Sequence, residues 1–134
     1  MTSKFTELAI DCADPRGLAR FWCAVLGYQV QDEDDGIVAI GPPDMPEGGN
    51  QRGPVPPTLT FARVPEGKIV KNRVHLDVRA GTGLVGEERL ATLQAECDRL
   101  LALGATHVLT QRADEYNESC ITLQDVEGNE FCLD

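Results

Sequence analysis

A chain of 134 residues has the size of one ordinary domain, and 42% apolar with 25% charged residues excludes a disordered or collagen-like polymer. Its 22 acidic against 12 basic residues leave a net charge of −10, a field that repels phosphate backbones and anionic membrane surfaces and so argues against both as partners. No apolar run approaches the ~18 residues of a membrane span, and Met1–Phe5 carries a lysine with no apolar stretch behind it, unlike a signal peptide.

The five cysteines, Cys12, Cys23, Cys97, Cys120 and Cys132, are widely spaced, odd in number and free of CxxC or CxxH pairs. That pattern fits reduced thiols in a cytoplasmic protein better than a disulfide framework or a zinc knuckle.

In chain order, Phe5 to Cys12 alternates, with Thr6, Leu8, Ile10 and Cys12 on one face and Phe5, Glu7, Ala9 and Asp11 on the other. Asp14-Pro15 then opens a helix, the carboxylate as N-cap and proline in the first turn. Leu18, Phe21, Trp22 and Val25 form its apolar stripe and Gly27 ends it. Tyr28–Gln31 and Gly36–Ile40 read as a hairpin around an acidic turn, Asp32–Asp35. Residues 41–57 hold six of the eight prolines and four glycines, so a long surface loop is expected, of the kind that can serve as a lid. Thr58–Arg63 is the next strand, and Val64–Asn72 the linker.

The pattern then restarts. Arg73–Arg79 alternates, Val74, Leu76 and Val78 against Arg73, His75, Asp77 and Arg79. After an insert of about Ala80–Gly86, a helix over Glu87–Leu103 buries Leu90, Leu93, Cys97, Leu100 and Leu101 and stops at Gly104. Strands follow at Thr106–Thr110, Ser119–Gln124 and Glu130–Leu133. Leu26-Gly27-Tyr28-Gln29-Val30 after the first helix corresponds to Leu103-Gly104-Ala105-Thr106-His107 after the second, so one unit is used twice, about residues 4–64 and 72–134. The polar strand faces give a candidate cleft: Glu7, Ala9, Asp11, Thr58, Thr60 and Ala62 from the first copy; from the second, Arg73, His75, Asp77, Arg79, Thr122, Gln124, Glu130 and Cys132. Asp77 between Arg73 and Arg79 reads as an ion-pair cluster, and His107 as structural or exposed.

Three stretches carry a family resemblance: Asp14 to Tyr28 with its Phe21-Trp22 pair, Asn72-Arg73-Val74-His75-Leu76-Asp77, and Asp125-Val126-Glu127-Gly128-Asn129-Glu130-Phe131-Cys132. As a set they resemble the glyoxalase-like branch of the vicinal-oxygen-chelate superfamily, which includes glyoxalase I, extradiol dioxygenases and bleomycin-resistance proteins. The resemblance implies an α+β fold of two tandem βαβββ modules forming a curled mixed sheet around a cleft, and a homodimer. It also implies a divalent metal held by four side chains, or a metal-free cleft for drugs or metabolites. Carried over, the metal positions fall on Glu7, His75 and Cys132, with the fourth at Thr60, a poor ligand for a hard cation. Asp11, Thr60, Arg73, Asp77 and Thr122 would contact the ligand, and Glu7 or Glu130 would move a proton. The implied activity is lyase or isomerase chemistry on a substrate with adjacent oxygens; the alternative is a binding protein that sequesters an antibiotic or metabolite.

Overall fold

Asp14 starts the first helix by the chemistry its side chain brings: its Oδ1 accepts the Gly17 N–H at 3.2 Å, and Pro15 occupies the first turn, where no donor is needed. This is helix α1, Pro15–Leu26, in a computed structural model that describes residues 7–44 and 58–134. It ends at Gly27, whose φ of 69° lets its N–H reach back to the Cys23 carbonyl at 2.9 Å. Leu18, Phe21, Trp22 and Val25 are all buried, and the Phe21 and Trp22 rings meet edge to face, 5.5 Å apart at 89°. Each large side chain taken out of water here is worth about 1.5–3 kcal/mol.

The chain divides into two compact units, Met1–Gly67 and Lys68–Asp134. In the first, β1 (Glu7–Cys12), β2 (Gln29–Asp34), β3 (Ile37–Gly41) and β4 (Thr58–Arg63) form a mixed sheet ordered β1-β4-β3-β2. β1 runs parallel to β4, the other pairs antiparallel. Val38, Ile40, Leu59 and Phe61 face α1 and are buried, while Glu7, Ala9 and Asp11 stay exposed on the other face. The second unit repeats the plan with β5 (Leu76–Val78), α2 (Gly86–Ala102), β6 (Thr106–Gln111), β7 (Cys120–Gln124) and β8 (Glu130–Leu133), ordered β5-β8-β7-β6 with β5 parallel to β8. Leu90, Leu93, Cys97 and Leu100 of α2 cover Ile121, Leu123, Phe131 and Leu133 in its core. The fold is therefore α+β, built of two βαβββ modules.

The repeat is accurate to the register. Both edge strands carry a bulge at the same place, between Val30 and Asp32 in β2 and between His107 and Leu109 in β6. The core pairs Val38↔Phe61 and Ile40↔Leu59 recur as Ile121↔Leu133 and Leu123↔Phe131, and Ala9↔Thr60 recurs as Asp77↔Cys132. Counting back two residues makes Glu7 the counterpart of His75, and Thr60 that of Cys132.

Several elements differ from the sequence-based expectation. Asp32–Asp34 belong to β2, so the hairpin turn shrinks to Asp35-Gly36; Gly36 at φ 77° allows a two-residue turn where the run of acids suggests a longer one. β5 begins only at Leu76, and Val74 is 70% exposed rather than inward-facing, because β5 pairs with β8 and that ladder starts at Leu76↔Phe131. Leu101 is 39% exposed, since Leu100 already occupies the core-facing position of the last turn. α2 has no side-chain cap at Val85; the Glu118 carboxylate instead accepts the Gly86 N–H at 3.3 Å. Phe5, Thr6 and most of the expected 41–57 loop lie outside the described residues.

Candidate functional site

The second unit gathers its polar groups by sheet register. Asp77 of β5 sits beside Cys132 of β8, and Thr122 of β7 sits on the far side of Cys132. Paired neighbours share a face, so one row runs Asp77, Cys132, Thr122 across the sheet, away from α2. His75, the residue just before β5, lies beside Asp77. Its Nε2 lies 3.2 Å from Asp77 Oδ1, and the ligand atoms of His75, Asp77 and Cys132 all fall within 4.8 Å of one another. Thr122 Oγ1 lies 3.4 Å from Cys132 Sγ. His75 and Asp77 are more than half exposed, so the group is open to solvent within this unit.

A turn of fixed geometry holds β8 in place. The buried Asp125 carboxylate accepts the Glu127 and Asn129 N–H groups at 2.9 and 3.0 Å and the Asn129 side-chain amide at 3.0 Å. The Asp125 N–H in turn donates to the Asn129 carbonyl at 2.8 Å, and Gly128 adopts φ 86°. The strand that leaves this turn carries Glu130 and Cys132. Asn72 fastens the approach to β5 by donating to the Val74 and Glu130 carbonyls at 3.1 and 3.2 Å.

Glu130 is engaged by the linker. Lys71 Nζ lies 2.6 Å from its Oε2. That hydrogen bond first, with the added pull of Lys71, Lys68 and His75, holds the Glu130 carboxyl below the usual carboxylate range. A carboxylate pinned in this way stays ionised and is a weak proton acceptor. Cys120 shares the Cys132 face and bonds Gln111 Oε1 at 3.0 Å; burial first, then the neighbouring Cys132 and Asp77, push its thiol up, so it stays protonated. The expected Arg73–Asp77–Arg79 cluster does not form: Asp77 contacts His75, Arg79 pairs with Asp134 at 3.2 Å, and Arg73 lies exposed ahead of β5. A residue in a strand turns every other side chain the same way, but Arg79 lies past the end of β5, where the Asp134 side-chain carboxylate is in reach. His107 is exposed and bonds Thr110 Oγ1 at 2.7 Å.

In the first unit, Thr60 Oγ1 donates to Glu7 Oε2 at 2.7 Å, and Asp11 stands exposed further along β1. Among the described residues, the group offering three metal-ligating side chains is His75, Asp77 and Cys132. Asp77 joins it through its register with Cys132 and its contact with His75 at the start of β5. The first unit also has two adjoining hollows between α1 and β2, of about 560 and 370 Å³. Arg16 pairs with Glu33 and Arg63 with Asp35 there, and among the described residues no set of metal-ligating groups converges on them. The His75 group, rather than the larger hollow, therefore carries the groups suited to chemistry.

The Glyoxalase-like domain family matches residues 7–133 of the chain. No curated protein matches it significantly. A glyoxalase/bleomycin resistance protein/dioxygenase family enzyme from Burkholderia phytofirmans PsJN aligns with a TM-score of 0.68 at 15% identity, covering 98% of this chain and 97% of that one. A point mutant of the genomically encoded fosfomycin resistance protein FosX from Listeria monocytogenes, solved with Mn(II) and 1S,2S-dihydroxypropylphosphonic acid, aligns with a TM-score of 0.69 at 10% identity over 99% and 90%. A glyoxalase/bleomycin resistance protein/dioxygenase from Nocardioides aligns with a TM-score of 0.66 at 16% identity over 99% and 83%. At such identities the likeness is one of fold.

Proposed function

Because this chain belongs to the glyoxalase-like family of the vicinal-oxygen-chelate superfamily, we propose that it binds a small molecule bearing adjacent oxygens at a divalent metal held by its second unit. The observation that carries this reading is the convergence of His75, Asp77 and Cys132 on one sheet face. The donor set fits a metal ion: two ligand atoms on a common tetrahedral ion at about 2.0–2.3 Å stand roughly 3.3–3.7 Å apart, close to the 3.2 Å between His75 and Asp77. When bound, such an ion supplies Lewis-acid polarisation of a substrate carbonyl or hydroxyl. A relative of this fold, FosX, was solved with Mn(II) and a vicinal diol, which supports the reading by analogy.

The chain's own groups would divide the remaining work. Thr122, beside Cys132, would orient a substrate oxygen through its hydroxyl. Glu130, kept ionised by Lys71, is better suited to receive a hydrogen bond from a substrate hydroxyl than to take up a proton. Glu7 remains the candidate proton carrier, its carboxylate reaching Thr60. Arg73 and Asp11, both exposed, would contact the ligand. Homodimeric assembly belongs to the same reading and is checked by light scattering.

A metal-free reading draws on the Glu7–Thr60 bond: the two first-unit positions equivalent to His75 and Cys132 satisfy each other, as in a site that sequesters an organic ligand without a cation. Metal analysis of protein purified without chelator, then titration with zinc, manganese and nickel, decides between them. Stoichiometric binding tighter than millimolar supports the metal reading. No binding, together with a raised melting temperature on a panel of antibiotics and vicinal diols, replaces it with sequestration.

A further inference from the structure

We propose that Cys132, with Asp77 as the third donor beside His75, makes this a thiolate site that selects zinc-type ions over manganese or magnesium and leaves one coordination position open. The inference rests on the metal-binding reading above and adds the identity of the ion and of the ligand that completes the set. Three features carry it. First, the donors are one imidazole, one carboxylate and one sulfur within 4.8 Å, and all three come from the second unit. Sulfur is a soft donor that raises affinity for zinc and cobalt and does little for manganese or magnesium, which prefer all-oxygen or oxygen-rich shells. Second, the three donors that converge among the described residues are one short of the four that close a structural zinc site, the arrangement that leaves room for water or substrate. Third, the neighbouring groups on the same face do not close the shell. Thr122 reaches Cys132 as a hydrogen-bonding hydroxyl, Cys120 is tied to Gln111, and Glu130 is tied to Lys71. His75 and Asp77 are exposed enough for an ion to reach them and for modest side-chain rotation to close the set.

Asp77 has a specific place in this scheme. Its register partner is Cys132 and it already touches His75, so it bridges the other two donors. Without it, an imidazole and a thiolate alone would remain, and zinc would be held more weakly.

The test uses the full chain, purified without chelator, with zinc, cobalt(II) and manganese(II) as probes. Competition titration should give one tight site for zinc and cobalt, each bound at least about tenfold more tightly than manganese. The cobalt form should show a near-ultraviolet sulfur-to-metal charge-transfer band. Cys132→Ser should abolish that band and reduce the preference for zinc over manganese to that of a nitrogen/oxygen site, while Cys120→Ser should leave both in place. Asp77→Asn should weaken zinc by roughly 10- to 100-fold. Circular dichroism of each variant verifies folding, and alkylation of wild-type Cys132, slowed by zinc and not by manganese, reads the same contact without any substitution. Manganese binding as tight as zinc, or a cobalt complex without the thiolate band, overturns this inference and leaves the metal-binding reading standing. Failure of every ion to bind overturns both.

Discussion

Replacing Asp125 by alanine tests whether the turn before β8 holds the candidate site in place. The buried carboxylate accepts two backbone N–H groups, from Glu127 and Asn129, and the Asn129 amide. Hydrogen bonds to a charged acceptor contribute about 1.5–3 kcal/mol each. Two backbone donors would lose their acceptor, although water can partly reach Glu127 and Asn129, which are half-buried. The low end of the range therefore applies, and Asp125→Ala should cost about 3–4 kcal/mol of unfolding free energy. Asp125→Asn keeps an oxygen for both N–H groups and requires only that the Asn129 amide turn over, so it should cost about 1 kcal/mol. Urea denaturation followed by far-ultraviolet circular dichroism is the assay, because the one tryptophan, Trp22, lies in the first unit. A cost below about 1 kcal/mol for the alanine variant, or equal costs for the two variants, would refute the argument that this acceptor holds the turn.

Three further outcomes are expected. Asp14→Ala removes the α1 cap and should lower stability by about 0.5–2 kcal/mol in the same assay, with Asp14→Ser recovering most of it. Gly27→Ala forces a β-carbon into a left-handed conformation at φ 69° and should cost about 1–2 kcal/mol, although no atom lies near enough to clash, so the loss would be backbone strain alone. Lys71→Met frees Glu130, whose carboxyl should then titrate at higher pH by NMR. The sign follows from the depressed folded-state pKa: the pair stabilises the fold above the ordinary carboxylate range of about 4.3, and that contribution is lost as pH falls through the folded value. The wild-type advantage over Lys71→Met should therefore vanish in acid.

Much of the architecture is legible in the sequence because its signals are local. The Asp14-Pro15 start, the Leu18–Val25 stripe, Gly27 and the Thr58–Arg63 alternation each act within a few residues, and α1 and β4 lie where these signals put them. The alternation overextends β5 because it reports which way side chains would point in a strand, and not whether a partner strand is there to make one. The pairing of Glu7 with Thr60, of Glu130 with Lys71, and of Arg79 with Asp134 links residues more than fifty positions apart. Such contacts depend on register and on side-chain reach, neither of which composition or periodicity encodes. Proximity in sequence ties Asp77 to two arginines, whereas its side chain stands exposed beside His75.

The matching bulges in β2 and β6 bear on solubility as well as on register. Both strands end their sheets, and an extra residue twists an edge so that a second chain cannot extend the ladder cleanly. β2 adds a further guard, since Asp32, Glu33 and Asp34 repel a like strand. β6, Thr106–Gln111, has no acidic or basic guard beyond His107, and Val108 and Leu109 stand 45% and 48% exposed. Of the two bulged edges β6 is therefore the one open to edge-to-edge aggregation at high concentration, and Val108→Lys would guard it without touching the groups around Cys132.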